Sequence, residues 1–368
     1  MLKTLYRCAC RFVPAPSLWI FLSAVLAAAV HGLCAVSTPF ADFFNGRVAS
    51  FFRALLATLT NPIPFSLAET LIFLTPVLFV ILLIVCIRAA LLGWRRAMRC
   101  VLGVLSVAAL LYVLFVCTFA AGYHASPLSA KLALTEEPVS AVQLERTARI
   151  LAERTEETLS EVTFRYGGAS VMPYTYDELS QKLMDAYDRA AREYPFIQKF
   201  DSRVKPLAVS PVMTYTHISG VYTMFTGEAN LNINYPDYVI AYTAAHELAH
   251  QRGIARENEA NFVAFLVCTA SEDPYIQYSG YLNMYEYVSS ALYSASRERY
   301  ASVAQSLDMR MRYEMIAYNE FYKPYRKTVV SEVSDAVNNT YLVLQGTEGT
   351  KSYGMVVDLA VSYFAEEE

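Results

Sequence analysis

The chain has 368 residues, 55% of them hydrophobic, and a formal net charge of −4. The apolar fraction is high for a soluble protein and is concentrated in the first third, while the acidic remainder has no basic run, which excludes a nucleic-acid binder. Of seven cysteines only Cys268 lies beyond residue 117, so the later part of the chain has no disulfide framework.

Three uncharged runs come first in chain order. Ser17 to Val36 is one, Leu71 to Ile87 is the second, and Cys100 to Gly122 is the third. Each has the length and composition of a helix that crosses a bilayer. Residues 1–122 are therefore expected to form a membrane domain with spans at about 17–36, 71–87 and 100–122. A cleaved signal peptide is the alternative for the first run. Its length and the two runs that follow favour an uncleaved anchor.

Lys3, Arg7 and Arg11 precede the first span, and Arg88, Arg95, Arg96 and Arg99 separate the second from the third. Up to Gly122 there are nine basic and two acidic residues, against 21 and 32 afterwards. Positive-inside bias places the N-terminus in the cytoplasm and residues 123–368 outside. The first external loop, with Arg47, Phe51, Phe52 and Arg53, suits either a short helix at the membrane surface or a simple ordered loop.

Within 123–368, Ser140 to Val162 reads as a helix. Thr175-x-x-Glu178 opens another as a capping box, and that helix ends before Pro195. Val204 to Ser210 and Met213 to Asn234 hold the strand-forming stretches. Leu231 and Ile233 alternate with Asn230, Asn232 and Asn234, the period of a strand with one wet face. That strand directly precedes the next helix and is expected to form the edge along which an extended peptide adds itself.

That helix carries His246-Glu247-Leu248-Ala249-His250, with Asp237 as its expected N-cap and Gly253 as its stop. Histidines four apart share one helix face and reach one metal ion, and Glu247 is placed to act on water. Catalytic zinc takes three protein ligands, so a third is expected from the helical stretch after Gly253. Glu257 is the best candidate, with Asn261 one turn later placed to orient a ligand histidine. Glu259, about 200° around that helix, is the rival. His217 and Tyr353 are candidates to stabilise an oxyanion, set against simple packing roles.

Pro64-Phe65-Ser66, Phe225-Thr226-Gly227-Glu228-Ala229-Asn230, the segment His246 to Gly253, Glu257-Asn258-Glu259-Ala260-Asn261 and Lys351-Ser352-Tyr353-Gly354 together resemble an uncharacterised bacterial family. Its members are membrane-anchored HExxH proteins classed only as a domain of unknown function, and the likeness covers nearly the whole chain. The central part is also similar to gluzincin zinc peptidases, including the CaaX prenyl endopeptidases and HtpX-type heat-shock peptidases. Those carry HExxH and a later Glu-x-x-Ala-Asp whose Glu binds zinc. The resemblance implies Glu257 as third ligand, with Asn261 where those families have Asp and a shorter spacing after His250.

The expected fold is α+β and mainly helical: transmembrane helices, then a zincin-like domain with a small sheet beside the HExxH helix. The expected function is a multi-pass zinc metallopeptidase of the cell membrane. It would use Zn2+ held by His246, His250 and Glu257, Glu247 as general base, and envelope or membrane polypeptides as substrates. The alternative is a non-enzymatic metal-binding sensor or scaffold, which needs neither a free metal position nor Glu247.

Overall fold

The computed structural model describes residues 10, 12–135, 137–166, 168–349, 351 and 355–366. Lys3, Arg7 and Tyr353 lie outside them, as does Arg11. The chain is mainly helical with one small sheet, as its sequence pattern indicates.

Three long apolar helices, α1 (Ala15–Val36), α4 (Leu67–Leu91) and α5 (Trp94–Thr118), have mean hydropathies of 2.1, 3.0 and 2.7 and expose almost all of their side chains. A helix of 25 residues is about 37 Å long at about 1.5 Å per residue, enough for a hydrocarbon core of about 30 Å. The turn between α4 and α5 is shorter than the sequence suggests. Gly93, at φ 114°, makes it, so Arg95, Arg96 and Arg99 lie on the first turns of α5. The third helix ends at Thr118, and residues 120–123 form a tighter turn.

The loop between the first two spans is helical: α2 (Thr38–Phe43), a π-helical turn and α3 (Ser50–Thr60). It packs into the domain that follows α5. Arg53 is fully buried, not a surface charge. Its guanidinium donates to Asn45 Oδ1 (2.9 Å), Asn45 O (2.8 Å), Thr118 O (2.8 Å), Gln198 Oε1 (3.1 Å) and Arg252 O (3.5 Å). Thr118 ends α5, and Arg252 follows the HExxH helix. A cation there answers the negative ends of two helix dipoles. Burial lowers its pKa to about 10, which leaves it charged at neutral pH.

A second junction grips the start of α4. Glu228 accepts from the amides of Leu67 (3.0 Å) and Ala68 (2.9 Å), and from Lys205 Nζ at 2.6 Å. Lys205 also donates to Thr60 O at 2.9 Å. Both charges are buried, so each satisfies the other while the carboxylate caps a helix N-terminus.

After α5 come α6 (Ala141–Thr158) and α7 (Tyr176–Glu193), each opened by a capping box, Ser140 with Gln143 and Thr175 with Glu178. The sheet comprises β1 (Val204–Pro206), β2 (Gly220–Thr223) and β3 (Glu228–Leu231), in the order β1-β3-β2. β3 pairs parallel with β1 and antiparallel with β2. The expected wet face is absent: Asn230 in β3 and Asn232 just beyond it are buried. Their side chains instead bond backbone carbonyls, Asn230 to Val221 O and Asn232 to Ile218 O. The two edges are β1 and β2.

The HExxH helix, α8 (Asp237–Gln251), is buried at every position from Tyr238 to Gln251. Helices apolar all round are central helices. This one packs on the sheet, on α9 (Glu257–Thr269) and on α10 (Pro274–Ala295). Ala241, Ala244, Ala245 and Ala249 are fully buried and let those neighbours approach closely. Asp237 is the first helical residue, not the cap, and its carboxylate accepts from the Met172 amide at 3.0 Å. The C-terminal part runs α11 (Arg297–Ser306), α12 (Met309–Tyr322), α13 (Val329–Leu344) and α14 (Val356–Glu366). α14 returns to the main core through Val357, Ala360, Val361 and Phe364.

Candidate metal centre

Helical spacing puts the His246 and His250 rings face to edge, with centroids 4.6 Å apart. Gly253, at φ 89°, reverses the chain after α8, and a Cβ there would meet the Arg53 guanidinium at 2.4 Å. The reversal returns the chain so that Glu257, the first residue of α9, faces both rings. Its Oε2 lies 3.2 Å from His246 Nε2 and 3.3 Å from His250 Nε2. One ligand atom from each of the three residues falls within 4.8 Å of the others. Bonds of about 2.0 Å in tetrahedral geometry separate ligand atoms by about 3.3 Å, so this donor set fits zinc.

His250 Nδ1 lies 2.7 Å from Ile254 O, so Nδ1–H donates there and Nε2 is the nitrogen turned toward Glu257. His246 Nδ1 is buried with no hydrogen-bond partner. Without a cation the cluster compensates itself. Burial disfavours the charged form of His250, but the Glu257 carboxylate outweighs it and pushes its pKa up to about 9. Burial likewise works against the Glu257 charge, and the two imidazoles outweigh it, holding that carboxyl well below the usual range. Ligation by both histidines requires their neutral forms, so a metal would replace this ion pair.

Glu259 points elsewhere. Its Oε1 accepts from the Leu128 amide at 2.9 Å and from Arg256 at 2.8 Å, tying α9 to the segment after α5. Asn261, expected to orient a ligand histidine, makes no such bond: its backbone carbonyl accepts from Tyr242.

Glu247 stands outside the three-residue cluster. Burial raises its pKa, partly offset by the histidines and by a hydrogen bond from the Tyr222 amide. β2 presses directly on it. A Cβ on Gly220 would lie 2.6 Å from Glu247 Oε1 and 2.7 Å from the Thr243 methyl. A glycine in a strand marks such close approach, and this one was the available sequence signal. The strand beside the cleft is thus β2, not β3, because β3 is enclosed between its two neighbours.

The cluster opens on a cavity of about 790 Å³. α8 and β2 form one wall, and α10, α12 and α13 supply Glu286, Tyr287, Tyr318, Tyr322 and Tyr341. Phe119, one residue past the end of α5, has its ring 6.0 Å from that of His250, so the site adjoins the end of a span. His217 lines the same cavity with its Nε2 2.8 Å from Tyr325 O and its ring against Tyr322. Arg53, Phe119 and Tyr222 carried no local sequence signal of a role here, since their neighbours are distant along the chain.

The model of the family described as "Protein of unknown function (DUF3810)" matches residues 44–361. The chain belongs to this family. The match begins inside the loop between the first two spans and so takes in Asn45 and Arg53 together with the metal cluster. No curated protein and no solved structure matches the chain.

Proposed function

We propose that this protein is a membrane-anchored zinc metallopeptidase whose site lies on the outer side of the cytoplasmic membrane. One observation carries the reading. Three ligating side chains converge at the wall of a large cavity, and the adjacent Glu247 is left free of them with its carboxylate facing the same space. Three protein donors with a position left over are the mark of a catalytic zinc, whereas a structural site is closed by a fourth.

His246, His250 and Glu257 would hold the metal, with His250 fixed in its tautomer by Ile254 O. Zinc supplies Lewis acidity toward a scissile carbonyl and toward water. Glu247 takes the proton of the attacking water and delivers it to the leaving amine. Burial raises its pKa, which makes it a stronger base toward that water. Edge strand β2 lies beside Glu247 and offers an extended peptide main-chain pairing. The spans and the nearness of Phe119 to His250 support substrates among envelope or membrane polypeptides. The positive-inside distribution of Arg88, Arg95, Arg96 and Arg99 supports the orientation.

Glu247→Gln in the full-length protein tests the reading. Zinc content should be unchanged while cleavage of a peptide library falls on the order of a hundredfold or more. Equal turnover by wild type and variant, both zinc-loaded, would exclude the peptidase mechanism.

A further inference from the structure

Helix α13 lines the cavity with polar residues and carries an exposed apolar stripe beside them. Ser334, Asp335, Asn338 and Tyr341 face the cavity. At about 100° per residue, Val330, Val333, Val337 and Leu344 gather in a stripe beside that face, roughly 100° around the helix from its centre. That outer stripe is solvent-facing: Val337 is 65% exposed and Leu344 77%. The helix is pinned at its ends by buried Ser331 and Leu342. Polar contacts tie it across the cleft: Ser334 Oγ donates to Thr216 O at 3.1 Å, and the hydroxyls of Tyr341 and Tyr123 lie 3.1 Å apart. Both connections pass through left-handed residues, Lys327 at φ 51° and Gly346 at φ 82°. A polar underside over a metal cleft, with a bend at each end, describes a lid.

An apolar outer face on a lid needs an occupant, and its position names one. Tyr341 contacts Tyr123, which follows the end of α5 by five residues and packs its ring on Phe119. The last turn of α13, with Val343 and Leu344, is therefore next to the level at which a membrane-spanning helix ends. Exposed Arg326 and Lys327 precede the helix and exposed Lys351 follows it, where phosphate headgroups would attract them, while Lys323 is already paired with Glu320. Apolar residues on one face with basic flanks are the signature of a helix lying in a membrane interface. We propose that α13 is a lid over the metal cleft whose Val330–Val333–Val337–Leu344 face rests in the outer-leaflet interface, so that the cleft opens toward polypeptides lying on the bilayer. This inference deepens the peptidase reading, but the location of the helix can be measured without any assay of cleavage.

The test uses the full chain in phosphatidylethanolamine–phosphatidylglycerol vesicles. Val337→Trp is placed in a Trp19→Phe, Trp94→Phe background, which leaves one tryptophan. Blue-shifted emission, loss of most of it when acyl chains are brominated, and shielding from acrylamide are expected. Val333→Trp repeats the measurement on the same face should the first variant misfold. Emission quenched by acrylamide and untouched by brominated lipid would overturn the proposal in favour of a wet lid. Emission shielded from both quenchers would also overturn it, pointing to a second copy of the chain on this face. Failure of either kind leaves the Glu247→Gln result unaffected, so the two readings fall separately.

Discussion

On its cleft face α8 carries His246, Glu247 and His250, and the metal cluster is completed by Glu257, seven positions beyond His250. At its C-terminal end the carbonyls of Arg252 and Gly253 are met by Arg53 and Asn45, some 200 positions away in the loop between two spans. The Arg252 side chain adds a second buried cation there, stacked on Tyr187 and Phe200. The first region draws its chemistry from local spacing, the second its support from distant chain. A helix that carries a candidate metal cluster must also be held at a fixed height and rotation, and here the loop between the first two long apolar helices does the holding. Residues 123–368 alone therefore lack a structural part of the metal-bearing domain, although composition changes at Gly122.

The cleft side should break most sharply. His250→Ala or Glu257→Ala leaves two protein ligands and should remove most zinc and activity, whereas Glu259→Ala should keep the metal and cost stability through the freed Leu128 amide. Metal analysis of the purified full-length variants decides this; zinc lost with Glu259→Ala and kept with Glu257→Ala would reverse the assignment.

At the membrane junctions the two buried cations should fail differently. Glu228→Gln strands the Lys205 charge and weakens the cap of α4, with an expected loss of about 3–5 kcal/mol. Arg53→Met strands acceptors, not a charge, and should cost less, about 1–3 kcal/mol. Denaturation of both variants in the same detergent ranks them. A larger loss for Arg53→Met would mean that the helix ends depend on its charge more than on its hydrogen bonds.

Gly220→Ala probes the contact between the edge strand and Glu247, the proposed general base. A methyl 2.6 Å from Glu247 Oε1 forces one of them to move, at about 1–3 kcal/mol, so turnover should fall roughly tenfold to a hundredfold with zinc retained. Unchanged turnover would place Glu247 outside the chemistry or show that β2 yields freely.

The smallest expected effect concerns Glu286, in the cavity wall and bonded to Tyr238. Burial, reinforced by Glu314, raises its pKa from 4.5 to about 7. The folded protein binds this proton more tightly than the unfolded chain. Its contribution is thus fully present below pH 4.5 and is lost as pH rises toward about 7. Glu286→Gln should flatten the decline of Tm across that window, and an unaltered profile would assign the decline to other groups.

Much of the molecule can be read from local pattern. Apolar runs located the three helices long and apolar enough to span a membrane, Thr175 and Glu178 marked a helix start, and the i, i+4 histidines with Gly253 placed three residues of a cluster that could hold a metal. Alternation misled at Asn230 and Asn232, because polar side chains that bond backbone carbonyls can be buried. Arg53 reads as an ordinary surface charge for the same reason: sequence records its cost of burial but not the five oxygen contacts that offset it.

By itself, then, the sequence determined the features that depend on neighbours within a turn or two of helix: which segments are apolar enough to span, where helices begin and stop, and which face of α8 carries imidazoles. The tertiary structure alone decided that Glu257 and not Glu259 faces those imidazoles, that β2 lies against Glu247, and that a loop between two spans supports the metal-bearing helix. Those outcomes turn on packing between residues tens to hundreds of positions apart, and a periodic pattern along one chain carries no information about such distances.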